Sequence, residues 1–177
     1  MPPRRALLIA GGGLLIGPLA GCNMAEVQTF PTLAAAMKAI ESLAEPPGAW
    51  KGTGAWTLAQ MLEHAAQSVE YSLRGFPQPK GALFQATVGK AAFAVFDARG
   101  RMSHSLAEAI PGAPAIDAKA PLAAAIARVQ RALREFEAHT GPLAPHFAYG
   151  ALDKAQYTRA HLMHLANHWT EVRKDTA

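Results

Sequence analysis

Three of the seven histidines in this 177-residue chain, His161, His164 and His168, fall within the nine residues HLMHLANHW. Imidazoles so closely spaced can ligate a divalent metal or move protons. At about 100° per residue, taking His161 as zero puts His164 near roughly 300° and His168 near roughly 340°, so one helix carries all three on a narrow face. Tyr157, Leu165 and Val172 fall within about 60° of His168 on the same wheel, which turns that face toward a core. Several neutral imidazoles in a core need partners, because each unpaired buried polar group costs on the order of 1–3 kcal/mol. A shared metal ion is one such partner. A set of hydrogen-bonded core histidines without a metal is the competing account.

Spacing limits which histidines can share an ion. Residues four apart stand about 6 Å apart along a helix axis and can converge on a metal about 2.0–2.1 Å from each nitrogen, whereas His161 and His168, about 10.5 Å apart, cannot easily do so. His164 with His168 is the better pair. His161 with His164 stays open as a less well aligned one, and a third ligand must come from another helix. His64 is the candidate, beside Met61 and Ser68 near the edge of an apolar stripe. Two other metal motifs do not fit: Leu165 stands where a zincin protease needs Glu, and no Glu-x-x-His pair is present for a di-iron bundle.

The elements that must position these residues read as helices. TLAAAMKAIESLAE repeats apolar residues at helical spacing until Pro46-Pro47, and TLAQMLEHAAQSVEYSLRG opens on a Thr57/Gln60 capping box and closes at Gly75. Pro121 is expected as the first helical residue of a long helix with Leu122, Ile126, Val129, Leu133 and Phe136 on its stripe. Asp153 with Gln156 starts the histidine-bearing helix. The expected fold class is all-α: a four-helix bundle from roughly 32–45, 57–74, 120–140 and 153–173, with 75–119 as a long crossover connection carrying an extra helix near 84–96 despite Gly89. No strand alternation stands out apart from short stretches in 84–96. RMSHSLAEAIPGAPAID is rich in Pro and Gly and reads as a segment running across the core or covering a site. It bears His104, and PHFAYG bears His146, so both are candidates to cover the site, while His139 is expected in solvent.

Half of the residues are hydrophobic and 17% charged, which suits one core of ordinary size. The segment MPPRRALLIAGGGLLIGPLAGC reads as a secretory signal peptide over 1–21, too short and Gly-rich for a transmembrane helix. Its end, Leu19-Ala20-Gly21-Cys22, resembles a bacterial lipobox, so Cys22 is expected to carry lipid, with 22–31 as tether and 32–174 as the folded domain. PRRALLI resembles a twin-arginine export signal, though without the usual Ser or Thr before the arginines; the unfolded export route is the alternative. Without Arg4 and Arg5 the 17 basic side chains fall to 15 against 13 acidic, so no basic nucleic-acid face is indicated. With the single cysteine lipidated, chemistry falls to His, carboxylates, hydroxyls and amides.

WTLAQMLEHAAQSVEYSLRGFPQPKG, GRMSHSLAEAIPGAP and PHFAYGALDKAQYTRAHLMHLANH together resemble the DinB-like metal-binding four-helix bundles, in particular a branch of uncharacterised domains with export signals. The resemblance spans nearly all of residues 30–172. It implies His64, His164 and His168 as ligands, with His161 outside the ligand set in a supporting or substrate-facing place. Members of that branch often carry one more histidine where this chain has Asn167-His168-Trp169, so a role of that histidine is absent here or passes to Asn167. Zinc or nickel is the metal that the resemblance implies, although neutral imidazoles suit iron and copper as well.

Three protein ligands leave a metal position open to water or substrate, which favours an enzyme. The resemblance implies a hydrolase or a thiol-dependent transferase acting on a small molecule. Glu70, Tyr71 and His161 are nearby candidate bases, among which the sequence does not choose. The alternative is a lipid-tethered metal-binding or scaffold protein without turnover. Either way the expected location is the cell envelope, anchored to a membrane and facing the periplasm, with a dimer compatible.

Overall fold

Apolar residues recurring every three to four positions give each of four helices one face for a shared core, and the caps fix where those faces begin. The computed structural model describes residues 29–175, so the expected export signal over 1–21 and the expected lipidation site Cys22 lie outside the described residues. Helix α1 (Leu33–Glu41) starts at Thr32, whose side chain accepts the Ala35 N–H at 3.1 Å, and passes into a 3-10 turn over Ser42–Ala44. Helix α2 (Leu58–Arg74) opens on the reciprocal Thr57/Gln60 capping box and ends at Gly75, whose φ of 101° disfavours any side chain. Helix α3 (Ala82–Phe84), a π turn over Gln85–Gly89 and helix α4 (Lys90–Arg99) follow one another without a break. Helix α5 (Leu122–Ala138) and helix α6 (Lys154–Trp169) complete the set, α6 opening on an Asp153/Gln156 capping box.

Leu33 and Ile40 of α1, Leu62 and Val69 of α2, Val129 and Phe136 of α5, and Tyr157 and Leu165 of α6 share one buried cluster, an all-α bundle as expected. Ser72 meets His161 while His64 meets His164, so α2 and α6 run in opposite directions. Among the described residues no helix is long and apolar enough to cross a membrane.

Three details depart from the helical reading. The last helix stops at Trp169 rather than running to 173, because the Thr170 and Glu171 N–H groups turn back to the carbonyls of Asn167 and His168. Val172–Lys174 then forms a short strand, β2, antiparallel to β1 (Trp50–Gly52), with Trp50 opposite Lys174 and Gly52 opposite Val172. Val172 therefore reaches the core from a strand, and the ribbon ties the approach to α2 to the exit of α6. Pro121 caps α5 from one residue before its first turn. His139 is half-buried rather than in solvent, its Nε2 3.2 Å from the Pro142 carbonyl oxygen.

Candidate metal centre

His64 projects from α2, and His164 and His168 from successive turns of α6, into one cluster at the α2–α6 interface. The Nε2 of His164 lies 3.1 Å from Nε2 of His64 and 3.1 Å from Nε2 of His168. One ligand atom from each ring lies within 4.8 Å of the others. Two nitrogens that share a zinc-type ion at about 2.0–2.1 Å stand roughly 3.0–3.4 Å apart at near-tetrahedral angles. An account by hydrogen bonds alone leaves a shortfall. Each Nε2 carries one hydrogen or one lone pair, so His164 can serve one of its two neighbours well but not both. The three histidines can thus hold a metal ion, with each lone pair given a partner.

Burial sets the charge of the cluster. It holds His64 down to about 4, helped by the nearby His104, and His168 down to about 3, helped by His64 and His104. His164 lies well below the ordinary imidazole range for the same reason, with the other histidines adding to it. All three are therefore neutral at neutral pH, with no proton to displace before a cation binds. Trp56 packs on this cluster, stacked on His168 at 5.9 Å and tilted against His64 at 4.9 Å. Nδ1 of His64 is the one buried side-chain polar atom without a hydrogen-bond partner among the described residues. Metal-binding histidines usually donate from that second nitrogen, and in His64 it is enclosed without an acceptor.

His64 and His164 also face a cavity of about 210 Å³, whose other walls include Met102, His104 and Ile110 from the crossover, His146, Phe147 and Tyr149 from the α5–α6 loop, and Ala160 and His161 from α6. His161, one turn before His164, is outside the ligand cluster. Its Nε2 meets Ser72 Oγ at 3.2 Å, and because that hydroxyl donates to the Val69 carbonyl at 2.6 Å, it is His161 that donates to Ser72. Burial lowers His161 to about 3. His104 stands over the cluster on the crossover, its ring 5.1 Å from His164 and 5.4 Å from His168, with Nδ1 2.9 Å from the Ser105 carbonyl oxygen. Asn167 touches none of the three rings through a hydrogen bond; its side chain donates to the His104 carbonyl at 3.4 Å and so holds the crossover.

Of the three candidate bases, His161 alone lines the cavity. Glu70 is committed elsewhere: its two oxygens take Arg128 Nε at 3.1 Å and Nη2 at 2.8 Å, and Glu63 pairs with the same guanidinium. Tyr71 packs on Phe76, 5.7 Å between rings. Sequence reasoning did not single out Trp56, Ser72 or Tyr149 as parts of the site. A fully buried hydroxyl inside the apolar stripe of α2 was the available signal for Ser72; Trp56 and Tyr149 lie outside the helices and give no periodic signal.

Compared with protein-family models, residues 23–175 match the family described as Protein of unknown function (DUF1569), and the chain belongs to that family. Neither curated proteins nor solved structures gave a match.

Proposed function

We propose that this member of the DUF1569 family is a DinB-like, metal-dependent enzyme of the cell envelope, of the hydrolase or thiol-dependent transferase class, acting on a small molecule. The observation that carries the reading is the convergence of three neutral Nε2 atoms in a cluster of which two rings, His64 and His164, line a cavity. His64, His164 and His168 would hold one divalent cation, zinc or nickel first and iron or copper also suited to imidazole. Bound there, such an ion supplies a Lewis acid to a ligand in the cavity. The chain supplies the rest: Trp56 shields His168 and His64 on one side, and Met102, Ile110 and Phe147 give the cavity apolar walls.

The cobalt-substituted full-length protein tests the reading. Its visible spectrum should be that of a cobalt ion on nitrogen ligands, and azide or acetohydroxamate should change it by entering an open position. A spectrum insensitive to both would favour the second reading, a lipid-tethered metal-binding protein without turnover. His104 supports that second reading, because its ring stands close enough to His164 and His168 to close the open side.

Anchoring through lipid on Cys22, facing the periplasm, belongs to the same proposal and rests on the Leu-Ala-Gly-Cys sequence after an apolar run. Cys22→Ala should move the protein from the membrane to the soluble fraction; equal fractionation of the two would refute the anchor.

A further inference from the structure

We infer that His146 is a fixed, neutral hydrogen-bond donor in the cavity beside the three histidines, where its Nε2–H binds the carbonyl oxygen of a small uncharged ligand. The inference rests on the cavity being the ligand site of the proposed function, but not on the metal itself.

The tautomer follows from the loop. Nδ1 of His146 accepts the backbone N–H of Ala148 at 3.1 Å and that of Tyr149 at 3.2 Å. A ring nitrogen that accepts carries the lone pair, so the proton of the neutral ring sits on Nε2. Nε2 is not enclosed without a partner, since His64 Nδ1 is the one such atom among the described residues. His146 lines the cavity, and to that space we assign its remaining N–H.

The donor is held in place before any ligand arrives. The ring stacks on Tyr149 at 4.2 Å and 6°, with Phe76 tilted against it at 5.0 Å. His146 exchanges both backbone hydrogen bonds with Gly150, at 2.8 and 3.1 Å. Gln85 of the π turn donates to the carbonyls of His146 and Phe147 at 3.3 and 3.1 Å, and Lys80 N–H donates to the Phe147 carbonyl at 2.8 Å. Gly89 closes the arrangement: a Cβ there would stand 1.8 Å from the Ala148 carbonyl oxygen, so the loop sits where a side chain would otherwise be. Burial holds His146 down to about 3, which keeps the ring neutral across the physiological range.

The walls define the ligand class. Among the described residues no Lys or Arg lines the cavity, and Glu108, the one carboxylate among them in its lining, is exposed. Apart from a cation on His64 and His164, an anionic group would meet no basic side chain there, whereas a neutral carbonyl needs one N–H and apolar surroundings, which Met102, Ile110, Phe147 and Ala160 provide. At about 210 Å³ the space is below the roughly 300–1,000 Å³ of drug-sized pockets, so the ligand is small.

Nitrogen-15 NMR of the histidine side chains in the full-length protein, zinc-free and zinc-loaded, tests this with cyclopentanone as probe and methylenecyclopentane as its shape-matched control. His146 should be in the Nε2–H form, and the ketone should shift that resonance where the hydrocarbon does not. His146→Asn keeps an acceptor at the Nδ1 position for the loop and loses the donor, so ketone binding should fall about 5- to 10-fold. His146→Gln places an amide N–H at the Nε2 position and should bind within about 3-fold of wild type. A purely structural histidine would give the reverse order. An Nδ1–H tautomer, equal shifts from ketone and hydrocarbon, or unchanged binding in His146→Asn overturns the inference. A ketone-specific shift in a protein that binds no zinc would leave it standing while the metal reading fails.

Discussion

Histidines reach the cavity by two different kinds of support. On the α2–α6 side, periodicity does the placing: His164 and His168 lie four residues apart on one helix, His64 faces them from the other, and the three lone pairs converge 3.1 Å apart in two of their pairs. On the loop side, hydrogen bonds do the placing. His146 is aimed by two backbone N–H groups, and His104 is held by the Ser105 and Asn167 contacts to its ring and carbonyl. The helical wall offers lone pairs, which suit a cation; the loop wall offers an N–H, which suits an acceptor. One cavity is therefore lined by complementary chemistry.

Acid should strain both walls of the metal-free protein most. Burial lowers His146 and His161 to about 3 each, while unfolded histidines titrate near about 6.5. The unfolded chain thus binds more protons between these values, so stability is complete above about pH 6.5 and falls as pH drops from there toward about 3. Each ring should cost on the order of 3 kcal/mol by about pH 4, read from urea unfolding against pH. His146→Asn and His161→Ala should each flatten that slope, and equal slopes would mean the rings are not desolvated.

Gly89→Ala separates the walls. Its Cβ would collide with the Ala148 carbonyl, a backbone atom that cannot swing aside, so a loss of about 2–3 kcal/mol is expected in urea or thermal unfolding. Zinc affinity, which belongs to the helical wall, should change less than about 3-fold. Ser72→Ala acts on the other side: the hydroxyl that accepts from His161 is lost and a buried N–H is left unpaired, for about 1–3 kcal/mol in the same assay. The smallest effect is expected from Asn167→Ala. Its bond to the His104 carbonyl is long at 3.4 Å and partly exposed, so global stability should fall by less than about 1 kcal/mol. Hydrogen exchange should rise in the His104 crossover and not in α6.

The same division marks what could be read in the sequence. The Thr57/Gln60 and Asp153/Gln156 boxes start α2 and α6 where the pattern put them, and the i, i+4 histidine pair stands on one face because a helix repeats every 3.6 residues. These are local rules. The end of α6 at Trp169 was not legible, because it depends on a three-residue ribbon pairing Val172 with Gly52, far apart in the chain. Gly89 looked like a weak point in a helix; it is the place where the Ala148 carbonyl comes too close for a side chain. Glu70 looked available as a base until Arg128, from another helix, was found to hold it together with Glu63. What the pattern missed in each case is a contact between distant segments.

The central claim is that His64, His164 and His168 form one metal site from which His161 is excluded, and competitive zinc titration of the metal-free protein tests it most directly. Wild type should bind one zinc per chain. His64→Ala, His164→Ala and His168→Ala should each weaken binding by more than about 100-fold, His164→Ala most because it adjoins both others, whereas His161→Ala should stay within about 10-fold. Affinity should hold nearly level from about pH 8 to about pH 6, since burial already keeps the ligand rings neutral there. A loss in His161→Ala as large as in His164→Ala, with His168→Ala little affected, would contradict the account, as would a wild type that binds no zinc.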